Sequence, residues 1–378
     1  MKVQQAVYRP DSGWSRSGDL TSNPQLVLAF SPLEVCEDRR IYDELRAMFP
    51  HARLISASTS GDIFGNSVLE DAMVVSALEF ERTSLRIARQ RIQDSASAFE
   101  LGKSLFRELQ GEDLCSILII SDGLLVNGSE LVGGLNFANS SKLPITGGLA
   151  GDNARFTRTL VGLDEFPEPG IVVAVGFYGK YLQIGHGSKG GWDPFGPERI
   201  VTRSDRNVLF ELDGQSALEL YKKYLGDLSA QLPGSALLFP LSMKLADSDE
   251  TLVRTILNVD EKDQSMTFAG NLPQGARVQF MKANFDRVVD AAGDAASESL
   301  KSMFNEKPDF ALLISCVGRK IVLGQRVEDE VEETNAIFGS ETAVSGFYSN
   351  GEISPVMSTS RCELHNQTMT ITTFKEIG

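Results

Sequence analysis

Histidine is scarce in this chain. Among 378 residues there are three, His51, His186 and His365. Any histidine chemistry therefore rests on one ring at a time. Cysteine is also sparse, at Cys36, Cys115, Cys316 and Cys362, with no Cys-x-x-Cys pair. That spacing excludes a zinc ribbon or thioredoxin-type site, and Cys115, inside an apolar run, reads as a buried thiol. No apolar run approaches the roughly 20 residues a spanning helix needs. The first twenty residues lack the apolar segment of a signal peptide. Together with the cysteine usage these features place the expected location in the cytoplasm, with no membrane partner. Basic charge is in deficit: 36 Lys and Arg stand against 51 Asp and Glu, a net charge of -15. Such a field repels phosphate and argues against a nucleic-acid partner. A phosphate-cradling Gly-x4-Gly-Lys-Ser/Thr loop and a Gly-x-Ser-x-Gly hydrolase elbow are both missing.

What is present is a folded-protein composition, 42% hydrophobic and 23% charged, with enough chain for two domains. The organising stretch is residues 144–152, Pro-Ile-Thr-Gly-Gly-Leu-Ala-Gly-Asp: an apolar strand running into a glycine-rich bend with one carboxylate. Related text recurs at Ser58-Thr59-Ser60-Gly61-Asp62-Ile63 and at Ser345-Gly346-Phe347-Tyr348-Ser349-Asn350-Gly351-Glu352-Ile353. The surroundings repeat too. Helical spacing over 96–109, a buried strand over 114–121 and a helix over 129–138 precede the central bend. The same order, 285–304, 310–315 and 325–338, precedes the third. Strand 26–30 and helix 38–48 precede the first. This predicts an α/β fold of duplicated βαβ units, mixed sheets covered by helices. Residues 157–163 and 171–178 read as paired strands. Residues 1–23 read as an arm over the surface. The best division lies near Asp213-Gly214, giving domains 1–213 and 214–378, with Asp213 as cap of a helix over 216–225.

In α/β sheets, ligands bind at the carboxyl ends of strands. Here those ends carry Thr59, Asp62, Asp122, Gly147, Gly148, Asp152, Cys316, Arg319, Tyr348 and Glu352. Glycines there admit close backbone approach, so a small polar molecule could be held. An amino acid would place its ammonium on Asp62, Asp152 or Glu352 and its carboxylate on Arg319 or backbone N–H groups. The plainer reading is that the glycines make turns and the acids cap backbone. Asp122 with Asp152 could do acid–base work, and Cys316 sits where a nucleophile would, with no histidine near it in sequence. His186 lies in a glycine-rich strand end close to Trp192 and Phe195, where small neighbours leave room for a flat ligand.

In order and spacing, the motifs Ser58 to Ile63, Ser121-Asp122-Gly123, Gly147 to Asp152, Asp213-Gly214 with Ala217 to Tyr221, Cys316 to Arg319, Gly346 to Tyr348, Gly351 to Ile353 and His365-Asn366 resemble the FIST family of bacterial sensory proteins. The resemblance runs over about residues 26–375 and implies two FIST domains that sense a small ligand without catalysis. Lacking a fused output module, the chain looks like the stand-alone, NosP-like nitric oxide sensors. That subgroup implies haem and a partner sensor histidine kinase, with a homodimer possible. The implied haem would be non-covalent, since no Cys-x-x-Cys-His site exists. Its iron ligand would be His186, or alternatively His365, with Trp192 and Phe195 beside it and a tyrosine or Cys316 still open.

Overall fold

Strand-forming segments separated by an amphipathic helix recur three times, and each recurrence folds as a parallel strand pair. In the computed structural model, which describes residues 1–18, 21, 23–244, 251–355 and 361–377, strand Leu26–Pro32 lies parallel to Arg53–Thr59. Leu114–Ser121 lies parallel to Ile145–Leu149, and Phe310–Cys316 to Ala343–Ser349. The helices between the partners are Arg39–Met48, Gly128–Ala138 and Val327–Phe338. Asp38 and Asn127 start the first two by accepting backbone N–H groups of the first turn.

Each pair lies inside a six-stranded sheet. The first sheet runs Val161–Leu163, Arg53–Thr59, Leu26–Pro32, Met73–Glu79, Lys2–Arg9, Gly13–Gly18. The second runs Cys362–His365, Gly351–Pro355, Ile145–Leu149, Leu114–Ser121, Ile171–Tyr178, Ser84–Arg91. The third runs Leu182–Lys189, Met369–Glu376, Phe310–Cys316, Ala343–Ser349, Asp62–Phe64, Ser67–Leu69.

The three sheets trade strands in a closed cycle. After Thr59 the chain bends out of the first sheet, and Asp62–Phe64 pairs with Ala343–Ser349 in the third. After Ser349 it bends out of the third, and Gly351–Pro355 pairs with Ile145–Leu149 in the second. After Leu149 it bends out of the second, and Val161–Leu163 pairs with Arg53–Thr59 in the first. The weak repeat of letters is thus a three-fold repeat of structure.

The inner faces of all three sheets share one core. Leu28 and Phe30 come from the first sheet, Ile120 and Phe177 from the second, and Leu312, Phe347 and Phe374 from the third. Aromatic rings bridge the sheets: Phe30 meets Phe347 at 4.6 Å between centroids, and Phe177 meets Phe374 at 5.4 Å. Helices cover each outer face. Ile41, Tyr42 and Leu45 pack on the first sheet, Leu101, Leu105, Leu131 and Leu135 on the second, and Ala292, Ala295, Val331 and Phe338 on the third.

A fourth, eight-stranded antiparallel sheet is set into the third repeat. It leaves at Asp193 and returns at Lys282, and those two residues are strand partners. Its own core gathers Leu212, Leu218, Tyr221, Phe268 and Phe280. The Asp213-Gly214 turn lies within it, between Val208–Leu212 and its partner Gln215–Ser216.

Several expectations need correction. Residues 2–9 are no surface arm. They form a strand, buried from Val3 to Tyr8, between Met73–Glu79 and Gly13–Gly18, because alternate apolar side chains complete both faces of that sheet. Val161–Leu163 and Ile171–Tyr178 do not pair, since the exchange sends them to different sheets. The cap of helix Ala217–Leu225 is Ser216, whose hydroxyl accepts from Glu219 N, while Asp213 turns at φ 51°.

Candidate functional site

The three bends meet. Ser60 N donates to Tyr348 O at 2.9 Å and Tyr348 N to Gly61 O at 2.8 Å, joining the first bend to the third. Asn350 N donates to Leu149 O at 3.2 Å, joining the third to the second. Gly151 N donates to Ser58 O at 2.9 Å, joining the second to the first, and Ser58 Oγ donates to Gly151 O. All three are strand carboxyl ends, where α/β proteins place their ligands. Gly147 fits only as glycine. Its φ is 144°, and a Cβ there would stand 1.9 Å from Ile119 O on the parallel neighbour. Gly148 pairs with Glu352 across the exchanged strand.

The three bend acids have different employment. Asp62 accepts from the Thr59 hydroxyl at 2.9 Å, and Glu352 from the Ser349 hydroxyl at 2.7 Å, the same step of three residues in two repeats. The second repeat carries Leu149 in place of the hydroxyl, and Asp152 instead caps the backbone of Phe156, Thr157 and Arg158. Asp122 does likewise for Leu124, Leu125 and Gly170. Asp62 is fully buried and its Oδ2 has no partner. Burial pushes its carboxyl well above the usual range against the Thr59 hydrogen bond. Glu352 also accepts from Thr368, and burial pushes it up to about 8.

Arg319 and Tyr348 are committed elsewhere. Arg319 is wholly buried and pairs with Glu330 at 2.7 Å. Its remaining donors reach Gly190 O at 2.6 Å and Val288 O at 2.7 Å. Tyr348 Oη donates to the same Glu330 at 2.8 Å, and Ser315 Oγ donates to it as well. This network engages all three nitrogens of Arg319 within the fold. Lys320 donates to Ser60 O at 2.6 Å and pairs with Glu70 at 2.6 Å, so its charge borders the first bend.

The residues singled out for haem are dispersed. His186 sits on strand Leu182–Lys189, 6% exposed, and burial lowers its pKa against the charge of Glu298. The glycines on either side of it serve the opposite face of the strand, against helix Phe285–Lys301: a Cβ at Gly185 would lie 2.1 Å from Ser299 O, and one at Gly187 2.1 Å from Ala295 O. Trp192 Nε1 donates to Gln367 O, and its ring packs with Val253, Met281 and Val322. Phe195 packs in the fourth sheet against Tyr224, Phe239 and Phe280. These side chains make no common face for a porphyrin. His365 is buried, hydrogen-bonds Ser354 O at 2.9 Å and is pushed down to about 4 by burial. Cys316 is buried and burial raises its thiol, which disfavours the thiolate a nucleophile or ligand needs. Among the described residues no group of three or more His, Cys, Asp and Glu is arranged to hold a metal ion. None of their helices is long and apolar enough to cross a membrane.

Two residues at the bends were passed over by the sequence reading. Asn366 is 0% exposed, and neither its Nδ2 nor its Oδ1 has a partner. Both amide atoms of Asn350 are likewise shielded and unpartnered. They flank the exchange point: a Cβ at Gly351 would stand 3.6 Å from Asn366 Nδ2, and one at Gly123 3.2 Å from Asn350 Nδ2. Gln367 Oε1 adds a further unpartnered acceptor. Little in the sequence signals them, since Asn350 stands between Ser349 and Gly351 and Asn366 between His365 and Gln367.

Comparison with known families now matches this geometry to a class. The FIST N domain model matches residues 25–215, and the FIST C domain model matches residues 217–355. The chain belongs to the FIST family, whose domains are sensory ligand-binding domains of signal-transduction proteins. A search of curated proteins returns no significant match.

Proposed function

We propose that this FIST protein senses a small polar metabolite held where the three bends meet. The observation that supports this is the pair of unsatisfied amides, Asn350 and Asn366. A buried polar group left unpaired costs about 1–3 kcal/mol, and here two whole carboxamides lack protein partners. Such groups persist where a ligand or bound water completes them. Asp62 Oδ2 is the carboxyl atom still open to such a ligand, whereas Asp152 and Arg319 are engaged within the fold. An amino acid held through its amino group by Asp62 and through its other polar atoms by the two amides remains within this reading.

The test is a thermal-shift screen of the full chain against amino acids, their amides and hemin, followed by calorimetry on hits. A ligand of the proposed class raises the melting temperature of the wild type and loses at least about tenfold in affinity in Asn366→Leu. Stabilisation by hemin alone, with a Soret band that His186→Ala abolishes, would reject the metabolite reading in favour of haem-based nitric oxide sensing.

A further inference from the structure

A cavity lies between the start of helix Gly128–Ala138 and the inserted fourth sheet. Its volume is about 440 Å³. Met243, Leu252 and Leu272 give it an apolar floor, while Arg206 and Gln274 stand at its rim. Its distinctive wall is Arg254, at the end of strand Thr251–Arg254.

Arg254 is 3% exposed. Its Nε donates to Asn271 O at 3.2 Å, and its Nη1 to Val253 O at 3.2 Å and Leu364 O at 2.8 Å. Gly270 makes room for it, since a Cβ there would stand 2.9 Å from Nε. All three acceptors are neutral carbonyls. Among the described residues Arg254 has no carboxylate within ion-pairing distance and its Nη2 has no acceptor. Glu363, which also lines the cavity, acts on Arg254 through its charge, which opposes the effect of burial. Burial lowers the guanidinium to about 10, so it stays charged at neutral pH. The contrast with Arg319 is direct: both arginines are buried, but among the described residues only Arg319 contacts a carboxylate.

A buried, charged guanidinium whose direct acceptors among the described residues are all neutral carbonyls is costly, because carbonyl dipoles offset its desolvation only in part. Because Arg254 lines an open cavity, a contacting oxyanion can come from outside. We propose that this cavity binds a small oxyanion, a carboxylate or phosphate group on a partly apolar body, with Arg254 Nη2 as its principal donor. The guanidinium fork matches either oxyanion. Arg206, 72% exposed and 3.8 Å from Glu130, adds positive potential at the rim. The apolar floor favours a carboxylate on a short hydrocarbon. This site is independent of the bends and of the ligand proposed there.

The experiment is calorimetric titration of the full chain with sodium butyrate and, separately, with sodium phosphate, each against sodium chloride at equal ionic strength. Butyrate is expected to bind with Kd below about 1 mM, a modest affinity for one charge-assisted contact. Arg254→Gln is expected to weaken it at least about tenfold, and Arg206→Glu about threefold or more, with the second variant deciding if the first fails to fold. Tighter binding of phosphate than butyrate, with the same dependence on these residues, would assign the site to phosphorylated ligands and support the proposal equally. Absence of binding for both anions at about 10 mM, or affinity unchanged in Arg206→Glu and in folded Arg254→Gln, would overturn it.

Discussion

The carboxyl of Glu352 shows how a single residue can tie stability to pH. It is buried and pushed up from 4.5 to about 8. A carboxyl raised on folding holds its proton more tightly in the native state. Its contribution is therefore full below its ordinary value and is lost as pH rises through the folded one. Melting temperatures of wild type and Glu352→Gln measured from pH 5 to 8.5 should converge or cross in favour of the variant as pH rises. Parallel curves would refute the assignment. The Arg319–Glu330 pair makes the opposite kind of prediction. Arg319→Met leaves Glu330 buried without its cation and should cost about 3–5 kcal/mol in denaturant unfolding, whereas Arg319→Met with Glu330→Gln should recover much of that loss. At this scale the sequence marked the acids and missed the amides. Asp62 and Glu352 were visible as acids after glycine. Asn366 was quoted only as a neighbour of His365, because an amide has no charge to set it apart and its missing partners exist only in three dimensions.

Elements were more legible than the contacts between them. The buried run 114–121 and the amphipathic stretch 38–48 lie where pattern placed them, at Leu114–Ser121 and Arg39–Met48, since period and capping are local properties. Strand Leu182–Lys189 was recognised, but the meaning of its glycines was not. They admit helix Phe285–Lys301, and nothing local in the sequence announces that use. Gly187→Val would drive a side chain into the carbonyl of Ala295. Its expected cost is about 3 kcal/mol or more, read as a lower denaturant midpoint, with helix and strand separated in the hydrogen-exchange pattern. An unchanged midpoint would show that the helix can retreat at little cost.

For the whole molecule, pattern suggested duplicated βαβ units but not how they interlock. Exchange depends on pairings between residues such as Gly346 and Ile63, remote in sequence and weakly marked in composition. The inserted fourth sheet, by parting Lys189 from Phe285, also hid that strand Leu182–Lys189 belongs to the third sheet. The family models divide the chain at 215 and 217, inside that insertion. Residues 1–213, produced alone, would lack the strands that Asp62–Phe64 and Ile145–Leu149 pair with at the exchange points. The fragment is expected to be insoluble or to lack dispersed amide resonances, whereas the full chain should melt its three sheets in one calorimetric transition. A soluble, well-dispersed fragment would show that the first two sheets are self-sufficient.

The meeting of the bends has a consequence for signalling. A chain that changes sheets three times at one point has there a common knot of restraint. A ligand that tightens or loosens it by a fraction of an ångström alters the lateral pairing of every sheet together. Its message would reach all three helical faces at once, so the output surface need not adjoin the ligand.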